Sequence, residues 1–374
     1  MNVSDPGGCA SGVIRVPGST GALRRVELHG VSPAPAISVV LPVRNAAGTI
    51  GRAVASVQAQ TRPDWELVVV DDGSTDGTRD WLRRAAAADP RLRLIEQPAR
   101  GLVPALNAGL ASARGRYVGR LDADDACHPE RLAAQADFLE TQPEVGLVSC
   151  LVGFGGDRAA SAGYALHVDW LNSLVTPAQI ALNRFVESPL AHPSVMFRRD
   201  LVERHGGYRD GDFPEDYELW LRWLEAGVVM AKVPRELLTW HDGPARLSRT
   251  DPRYDPEAFF RVKAGYVAKE LARLAAGASG GARPVWVWGA GRPTRKRAAH
   301  LAAHGVTIAG YIDVDAKKTG NIVGGVPVVA PESLPPAGTV FVLGYVSKRG
   351  AREDIRGQLV RRGYREGRDF LMAA

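Results

Sequence analysis

The sequence contains little cysteine and no long apolar run. Only Cys9, Cys127 and Cys150 occur in 374 residues, and no two of them form a C-x-x-C pair. This argues against a disulfide framework or a structural zinc site, and it predicts a reducing, cytoplasmic location. The longest apolar stretches, such as Ile37–Val43 and Val340–Val346, are strand-sized. They are far shorter than the roughly 18 residues that a membrane-crossing helix needs.

A secretory signal and a nucleic-acid-binding surface are also not indicated. The first residues lack the basic-then-apolar layout of a signal peptide. The net charge is +6, but the basic residues are mostly scattered arginines without interleaved aromatics, which is more typical of solvated helix faces than of nucleic-acid binding. We therefore expect no nucleic-acid partner, while peripheral contact with the inner face of a membrane stays open.

A chain of this length predicts two domains. Residues 1–35 show no periodicity and are expected to form a loosely ordered leader. The glycine-rich stretch Gly277–Arg283 is typical of a linker. The predicted domains are therefore residues 36–276 and 283–374.

The first domain alternates strands with helices. Helical spacing of apolar residues lies between the predicted strands, as expected for βαβ units and a mostly parallel sheet. The strands are predicted at Ile37–Val43, Glu66–Val70, Leu92–Glu96, Tyr117–Leu121 and Val145–Cys150. Ligands of such sheets bind beyond the carboxyl ends of the strands, so the residues there are the candidates for a site.

Carboxylates follow two of these strands. Asp71 and Asp72 end an apolar strand, where burial makes charge expensive and a turn motif does not explain them. Asp122, Asp124 and Asp125 crowd three negative charges into four residues after another strand. A hard divalent cation, Mn²⁺ or Mg²⁺, would remove their repulsion, and an acidic loop that caps the next helix is the structural alternative.

A further acidic pair precedes an apolar helix. Leu219, Trp220 and Trp223 lie three, four and seven residues after Asp216, so Asp216 is predicted to share the inward face, with Glu215 at its edge. A carboxylate on an inward face is either paired or functional.

These motifs carry a family resemblance. Ile37–Asn45, Asp71–Thr78 and Leu121–Asp125 resemble the N-terminal half of a family 2 inverting glycosyltransferase of the GT-A fold, and the resemblance extends over residues 36–249. It implies a nucleoside-diphosphate-sugar donor, UDP- or GDP-linked, a divalent metal, and a saccharide or glycan-precursor acceptor.

The resemblance also implies roles for individual residues. Asp72 matches the position that contacts the base, Asp122 the one near the ribose, Asp124 the metal ligand and Asp216 the general base. His241 matches a position that can complete the metal's coordination, although a packed histidine is the equal alternative. His192 is expected to be structural. The remaining donor-binding candidates are Pro42, Arg44, Asn45, Asn107, Arg246 and Arg249.

The C-terminal region begins like a dinucleotide-binding unit. Gly289 and Gly291 follow the predicted strand Val285–Trp288, and Asp313 lies about where a ribose-binding acid would be. Thr294, however, stands where the third glycine is expected. We expect a small Rossmann-like domain that serves as a scaffold, with a nucleotide site at Gly289, Gly291 and Asp313 as the alternative.

Two alternatives to glycosyl transfer have less support in the sequence. A non-catalytic nucleotide-binding protein would use the C-terminal glycine turn, but its first domain would have no need of Asp124 and Asp216. A sugar nucleotidyltransferase would need a glycine-rich, basic turn after the first strand, where this chain has Val43–Ala46.

Overall fold

The structure, a computed structural model, describes residues 13–17, 23–27, 34–243, 246–277, 281–348 and 350–374. Most of the predicted leader, part of the predicted linker and Cys9 lie outside these residues. Within the leader, β1 (Val13–Pro17) pairs antiparallel with β2 (Leu23–Glu27). A domain division at the predicted boundaries stays a prediction.

The described residues from 34 onward form two further sheets connected by helices. The strands of the larger sheet are β3 (Ile37–Val43), β4 (Trp65–Asp72), β5 (Leu92–Gln97), β6 (Tyr117–Arg120), β7 (Ala126–Cys127), β8 (Val145–Gly155), β9 (Met196–Arg198) and β10 (Val229–His241). Its helices are α1 (Ile50–Gln58), α2 (Thr78–Ala88), α3 (Leu102–Ser112), α4 (Arg131–Thr141), α5 (Ala162–Ser173), α6 (Pro177–Asn183), α7 (Asp200–His205), α8 (Glu215–Glu225), α9 (Leu247–Thr250) and α10 (Pro256–Ala276).

The strand order of the larger sheet is β5-β4-β3-β6-β9-β8-β10-β7. Strands β3 to β6 pair parallel, and β9 is antiparallel to both β6 and β8. The expected mixed α/β fold with a mostly parallel sheet is therefore confirmed. Helix α4 begins at Arg131, two residues after Pro129, whose carbonyl accepts a hydrogen bond from the Thr61 N–H and lies outside the helix.

The alternation of side chains along β3 divides the core into two layers. Val39 and Leu41 pack with α1 residues on one face, whereas Val40 packs with α3 and α8 on the other. Gly109 lets α3 approach closely, since a Cβ there would lie 2.4 Å from a Val40 methyl carbon. Arg120, the last residue of β6, interacts electrostatically with Glu215, so the amino end of α8 lies near the carboxyl ends of the strands, where the acidic loops emerge.

The second sheet has the order β13-β14-β12-β11-β15-β16. Its elements are β11 (Val285–Trp288), α11 (Arg292–Ala298), β12 (Ile308–Ile312), β13 (Ile322–Val323), β14 (Val326–Val329), β15 (Phe341–Gly344), α12 (Ala351–Arg361) and β16 (Phe370–Met372). Strands β14, β12, β11, β15 and β16 pair parallel, and the order of connection reverses between β11 and β15.

The two larger sheets are joined by a common hydrophobic core. Tyr217 and Leu221 of α8 lie in the same cluster as Phe260 of α10 and Val287 and Leu343 of the second sheet. The helix that carries Asp216 is therefore packed partly by the C-terminal unit. Among the helices that the structure describes, none combines the length and apolar character required to cross a bilayer.

Candidate active site

The acidic loop after β6 forms a compact cluster. Ligand oxygens of Asp122, Asp124 and Asp125 all lie within 4.8 Å of one another. Asp125 is only 1% exposed; its Oδ1 accepts a hydrogen bond from the His241 backbone N–H at 2.8 Å, and its Oδ2 has no partner among the described residues. Burial, and next the charge of Asp122, raise the pKa values of Asp124 and Asp125. The cluster is thus an electrostatically unfavourable arrangement of acids in the absence of a cation.

The cluster has the donor set of a divalent-cation site. Carboxylate oxygens suit Mg²⁺ and Mn²⁺, and the unpaired Oδ2 of Asp125 is a free ligand atom. His241 ends β10, and its Nδ1, which also has no partner among the described residues, lies 4.0 Å from Asp125 Oδ1. Burial, followed by the charge of Arg52, lowers the pKa of His241, which favours the neutral imidazole that metals bind. The residues present therefore fit such an ion.

Arginines surround the cluster. Arg246 stacks over the rings of Trp240 and Tyr164, 4.7 Å and 5.0 Å from their centroids, and its Nη1 donates to the His241 carbonyl at 3.3 Å. Burial by itself would lower the pKa of Arg246. The interactions with Tyr164 and the acidic cluster outweigh that effect, so the pKa of Arg246 is raised. Arg249, by contrast, donates to both carboxylate oxygens of Asp242 at 2.6 Å.

Two arginines of this region are not among the site residues that the sequence predicts. Arg52 of α1 donates from Nη2 to the Asp124 carbonyl at 2.6 Å and so holds the acidic loop. Arg120, at the end of β6, is 3% exposed, forms an ion pair with Asp122, and its Nε has no hydrogen-bond partner among the described residues. A charged residue inside an otherwise apolar strand was the available signal.

Arg120 connects the acidic cluster with the start of α8. Arg120 interacts electrostatically with Asp122 and Glu215. Its positive charge also lowers the pKa values of Asp124 and Asp216, but burial has the larger effect and raises both. The acids after β6 and the acids of α8 therefore share one electrostatic environment at the carboxyl edge of the sheet.

The two acids of α8 have different surroundings. Glu215 is 1% exposed; its Oε2 accepts a hydrogen bond from the Tyr254 hydroxyl at 2.7 Å, and its Oε1 lies 3.8 Å from His192 Nδ1. Asp216 is partly exposed. The expectation that Asp216 faces further inward than Glu215 is wrong, because Tyr254 and His192 cover the side of the helix on which Glu215 lies.

Asp216 has a strongly shifted pKa. Burial of the carboxylate, and next the charge of Glu215, raise the pKa of Asp216 to about 7, while the Tyr217 N–H, which donates to Asp216 Oδ1 at 2.7 Å, opposes the shift. A carboxylate with this pKa is a stronger proton acceptor than an ordinary aspartate. His192, which matches an acceptor-side or structural position and is expected to be structural, is buried, and its Nε2 hydrogen-bonds the Tyr208 hydroxyl at 2.7 Å.

Asp72, predicted to contact the base, lies at the end of β4, and Asn45 lies just beyond β3, whereas Asp122, predicted near the ribose, follows β6. Asp72 accepts N–H groups from the Gln97 side chain and from the backbones of Arg100 and Gly101, at 2.8, 2.8 and 2.9 Å. It thereby fixes the loop before α3. Asn45, with a positive φ of 51°, accepts the Thr75 N–H at 2.8 Å and so joins the two strand-end loops.

The other residues predicted to bind the sugar donor differ in their exposure and in their hydrogen bonding. Pro42 is buried in β3 opposite Val70, whereas Arg44 is exposed just beyond that strand. Both amide atoms of Asn107 are engaged by the Tyr208 backbone, at 2.9 and 3.0 Å. Asn107 therefore ties α3 to the segment that precedes α8.

The glycine turn of the second sheet is filled by its own chain. The Ala290 N–H donates to Asp313 Oδ2 at 2.8 Å, and Lys318 pairs with the same carboxylate oxygen at 3.2 Å. Gly289 has a φ of 113°, and a Cβ there would meet Val346 at 2.9 Å and Thr294 at 3.0 Å. Gly291 is the residue before α11. In this arrangement the Asp313 carboxylate is the hydrogen-bond acceptor for one N–H of the glycine turn.

Comparisons with known proteins agree on one family. A family model described as Glycosyl transferase family 2 matches residues 38–206. The putative glycosyltransferase EpsE of Bacillus subtilis (strain 168) is 32% identical over 201 residues, which cover 52% of this chain and 68% of the relative.

Parts of the chain also resemble solved structures. S. aureus TarS 1-349 in complex with UDP-GlcNAc has a TM-score of 0.49 at 19% identity, covering 63% of this chain and 66% of that one. The mannosyltransferase PcManGT from Pyrobaculum calidifontis, in complex with GDP-Man and Mn²⁺, has a TM-score of 0.45 at 26% identity, covering 72% and 69%.

Proposed function

The chain belongs to glycosyl transferase family 2, and from this premise we propose that it transfers a sugar, with inversion, from a nucleoside-diphosphate-sugar donor to an acceptor hydroxyl. In this reaction the acceptor oxygen forms a bond to the anomeric carbon while the bond from that carbon to the diphosphate breaks. The acceptor proton passes to Asp216, and the products are the glycosylated acceptor and a nucleoside diphosphate. The acceptor class that we propose is a saccharide or glycan precursor.

The observation that carries this proposal is the state of Asp216. Asp216 is partly exposed, one of its oxygens accepts a backbone N–H, and burial with the charge of Glu215 raises its pKa to about 7. A direct displacement needs one group that is unprotonated near neutral pH and able to take the acceptor proton, and Asp216 meets both conditions. Glu215 is less suited, because it is buried and its Oε2 already accepts the Tyr254 hydroxyl.

Asp122, Asp124 and Asp125, with His241 beside them, are proposed to hold a divalent cation, with Asp124 as the principal ligand. When bound, such an ion stabilises the negative charge on a departing diphosphate. Arg246, which stacks over two neighbouring aromatic rings, is proposed to add positive charge on the same side. Arg249 is proposed to act less directly, through its pairing with Asp242.

The nucleoside is proposed to lie over the ends of β3 and β4. Pro42, Arg44 and Asn45 would line one side, and Asp72 would accept an N–H of the base. Among the described residues, the Gly101 N–H is the one donor to Asp72 Oδ2, so acceptor capacity remains. Asp122 is proposed to lie near the ribose, and Asn107 to support this pocket through the Tyr208 backbone.

The test is a donor screen on the purified protein with Mn²⁺, using UDP- and GDP-sugars and measuring free nucleoside diphosphate. Asp216→Asn should bind the best donor with unchanged affinity but transfer about 10²- to 10⁴-fold more slowly, as expected for the loss of a general base. Asp212→Asn, an exposed acid four residues earlier, is the matched control. Normal transfer by Asp216→Asn would show that the assigned base is wrong.

The alternative function, nucleotide binding by the C-terminal unit, has less support. The turn N–H of Ala290 is already donated to Asp313, and the space over Gly289 is occupied by Thr294 and Val346. Calorimetry with NAD and with nucleotide sugars separates the two functions, since tight NAD binding without sugar-nucleotide binding would favour the alternative.

A further inference from the structure

A cleft of about 580 Å³ opens at the amino-terminal ends of the strands of the larger sheet, at the end opposite to the acidic cluster. Residues 34–36 form one wall, and four arginines line the remainder: Arg114, Arg116, Arg198 and Arg199. Strands β3 and β6 begin at this end of the sheet, where Ile37 pairs with Tyr117. Because β3 has seven residues, about 20 Å of strand separates the cleft from the acidic loops.

The arginines of this cleft are only partly neutralised. Arg114 pairs with Glu66 at 2.7 Å, and Arg199 pairs with Glu203 at 3.3 Å. Asp200, which also lines the cleft, pairs at 3.1 Å with Arg204.

The other two guanidinium groups have no carboxylate partner among the described residues. Arg198 donates to the carbonyls of Leu139, Gln142 and Val145 at 2.5 to 3.3 Å, which fixes its orientation but leaves its charge uncompensated. Arg116 is exposed and lies over the Tyr117 ring, 5.2 Å from the centroid. Two positive charges thus face a concave surface without a counter-ion.

We propose that this cleft binds a phosphate group, presented either by an anionic lipid headgroup or as a free phosphate. A phosphate monoester carries close to two negative charges at neutral pH, which matches the two uncompensated arginines. The carbonyl contacts use Nε and Nη2 of Arg198 and so orient its guanidinium, which leaves Nη1 to donate to a phosphate oxygen, while the exposed guanidinium of Arg116 can bind phosphate oxygens bidentately. The site is independent of sugar transfer, since the acidic cluster lies at the other end of the sheet.

The test compares Arg116→Glu with Arg84→Glu, an exposed arginine of α2 that does not line the cleft. Inorganic phosphate is titrated calorimetrically into the full chain in the presence of EDTA, so that no divalent cation carries phosphate to the acidic cluster. Co-sedimentation is measured with vesicles of phosphatidylcholine alone and with vesicles in which one quarter of the lipid is phosphatidic acid, whose headgroup is a phosphate monoester.

We expect the parent protein and Arg84→Glu to bind phosphate, the anionic vesicles or both, and Arg116→Glu to bind at least tenfold more weakly. Binding to the vesicles alone identifies the lipid source, and binding to phosphate alone identifies the free anion. Failure of the parent to bind either probe, or equal binding by Arg116→Glu, overturns the proposal. Donor turnover in Arg116→Glu should equal that of the parent, which separates this result from any failure of the proposed transferase activity.

Discussion

At the scale of single residues, the start of α8 holds two adjacent carboxylates with different environments. Glu215 is fixed by Tyr254 and His192, while Asp216 is partly exposed, and its second oxygen has no hydrogen-bond partner among the described residues. Their proximity is functional in the proposed mechanism, because the charge of Glu215 contributes to the high pKa of Asp216. One carboxylate thus adjusts the basicity of the other.

This pair predicts a pH-dependent rate. Only the unprotonated form of Asp216 accepts a proton, so kcat/KM should rise about tenfold per pH unit below 7 and level off above it, in line with a pKa of about 7. Initial rates between pH 5.5 and 8.5 measure this profile. A flat profile across that range would contradict the assignment.

The same shift has a consequence for stability. The folded-state pKa of Asp216 is raised, so its contribution to stability is fully present below the unfolded pKa near 4 and is lost as pH rises through about 7. Asp216→Asn cannot ionise, and its Tm should therefore fall less than that of the parent between pH 5 and pH 8.

The acidic cluster predicts a metal-linked stabilisation. A ligand that binds only the folded state raises Tm, so millimolar Mn²⁺ should stabilise the parent by several degrees and should leave Asp124→Ala unchanged. Differential scanning fluorimetry measures this without any substrate. Asp80→Ala, an exposed acid on α2, is the control and should respond like the parent.

At the scale of elements, α8 is held along its length by α10 and the turn before it. Tyr254 and Tyr266 donate their hydroxyls to Glu215 and Glu218 at 2.7 and 2.8 Å, and Tyr217 donates to the Arg184 carbonyl at 2.7 Å. These contacts fix the axial position and rotation of the helix, and thereby the position of Asp216.

Removing one of these hydroxyls should affect turnover more than donor binding. Tyr254→Phe leaves a buried Glu215 oxygen without its donor, at a cost of about 1–3 kcal/mol, and should lower kcat several-fold with little change in the KM for the donor. Steady-state kinetics and denaturation measure the two effects. An increase in donor KM alone would indicate that Tyr254 acts on binding rather than on the base.

The elements of the sheet and the acidic loops could be predicted from sequence, because both depend on local pattern. Strand β3 was predicted with its observed ends, and the three acids after β6 do cluster. The relative burial of Glu215 and Asp216 could not be predicted, since it depends on Tyr254 and His192, which are distant in the chain. The intramolecular pairing of Asp313 with Ala290 likewise arises only when β12 lies beside the glycine turn.

At the scale of the whole molecule, the C-terminal sheet and α8 are parts of one packing unit. Tyr217 and Leu221 share a core with Val287 and Leu343, so disruption of the second sheet should reach the candidate active site. This gives the C-terminal unit a structural role that does not require a bound nucleotide.

The shared core predicts coupled unfolding. Leu343→Ala should lower the free energy of unfolding by about 2–5 kcal/mol, and transferase activity should be lost at the same denaturant concentration as the fluorescence of the folded protein. Val360→Ala, at an exposed position of α12 in the same unit, should change stability by less than about 0.5 kcal/mol. Activity that persists after the C-terminal unit unfolds would contradict the coupling.

The stacking of Arg246 against Trp240 has a practical consequence. Because Trp240 directly precedes His241 and packs against Arg246, its indole is a built-in optical reporter for the region around the acidic cluster. Paramagnetic Mn²⁺ should quench its emission while diamagnetic Mg²⁺ should not, so occupancy could be followed by titration without a label.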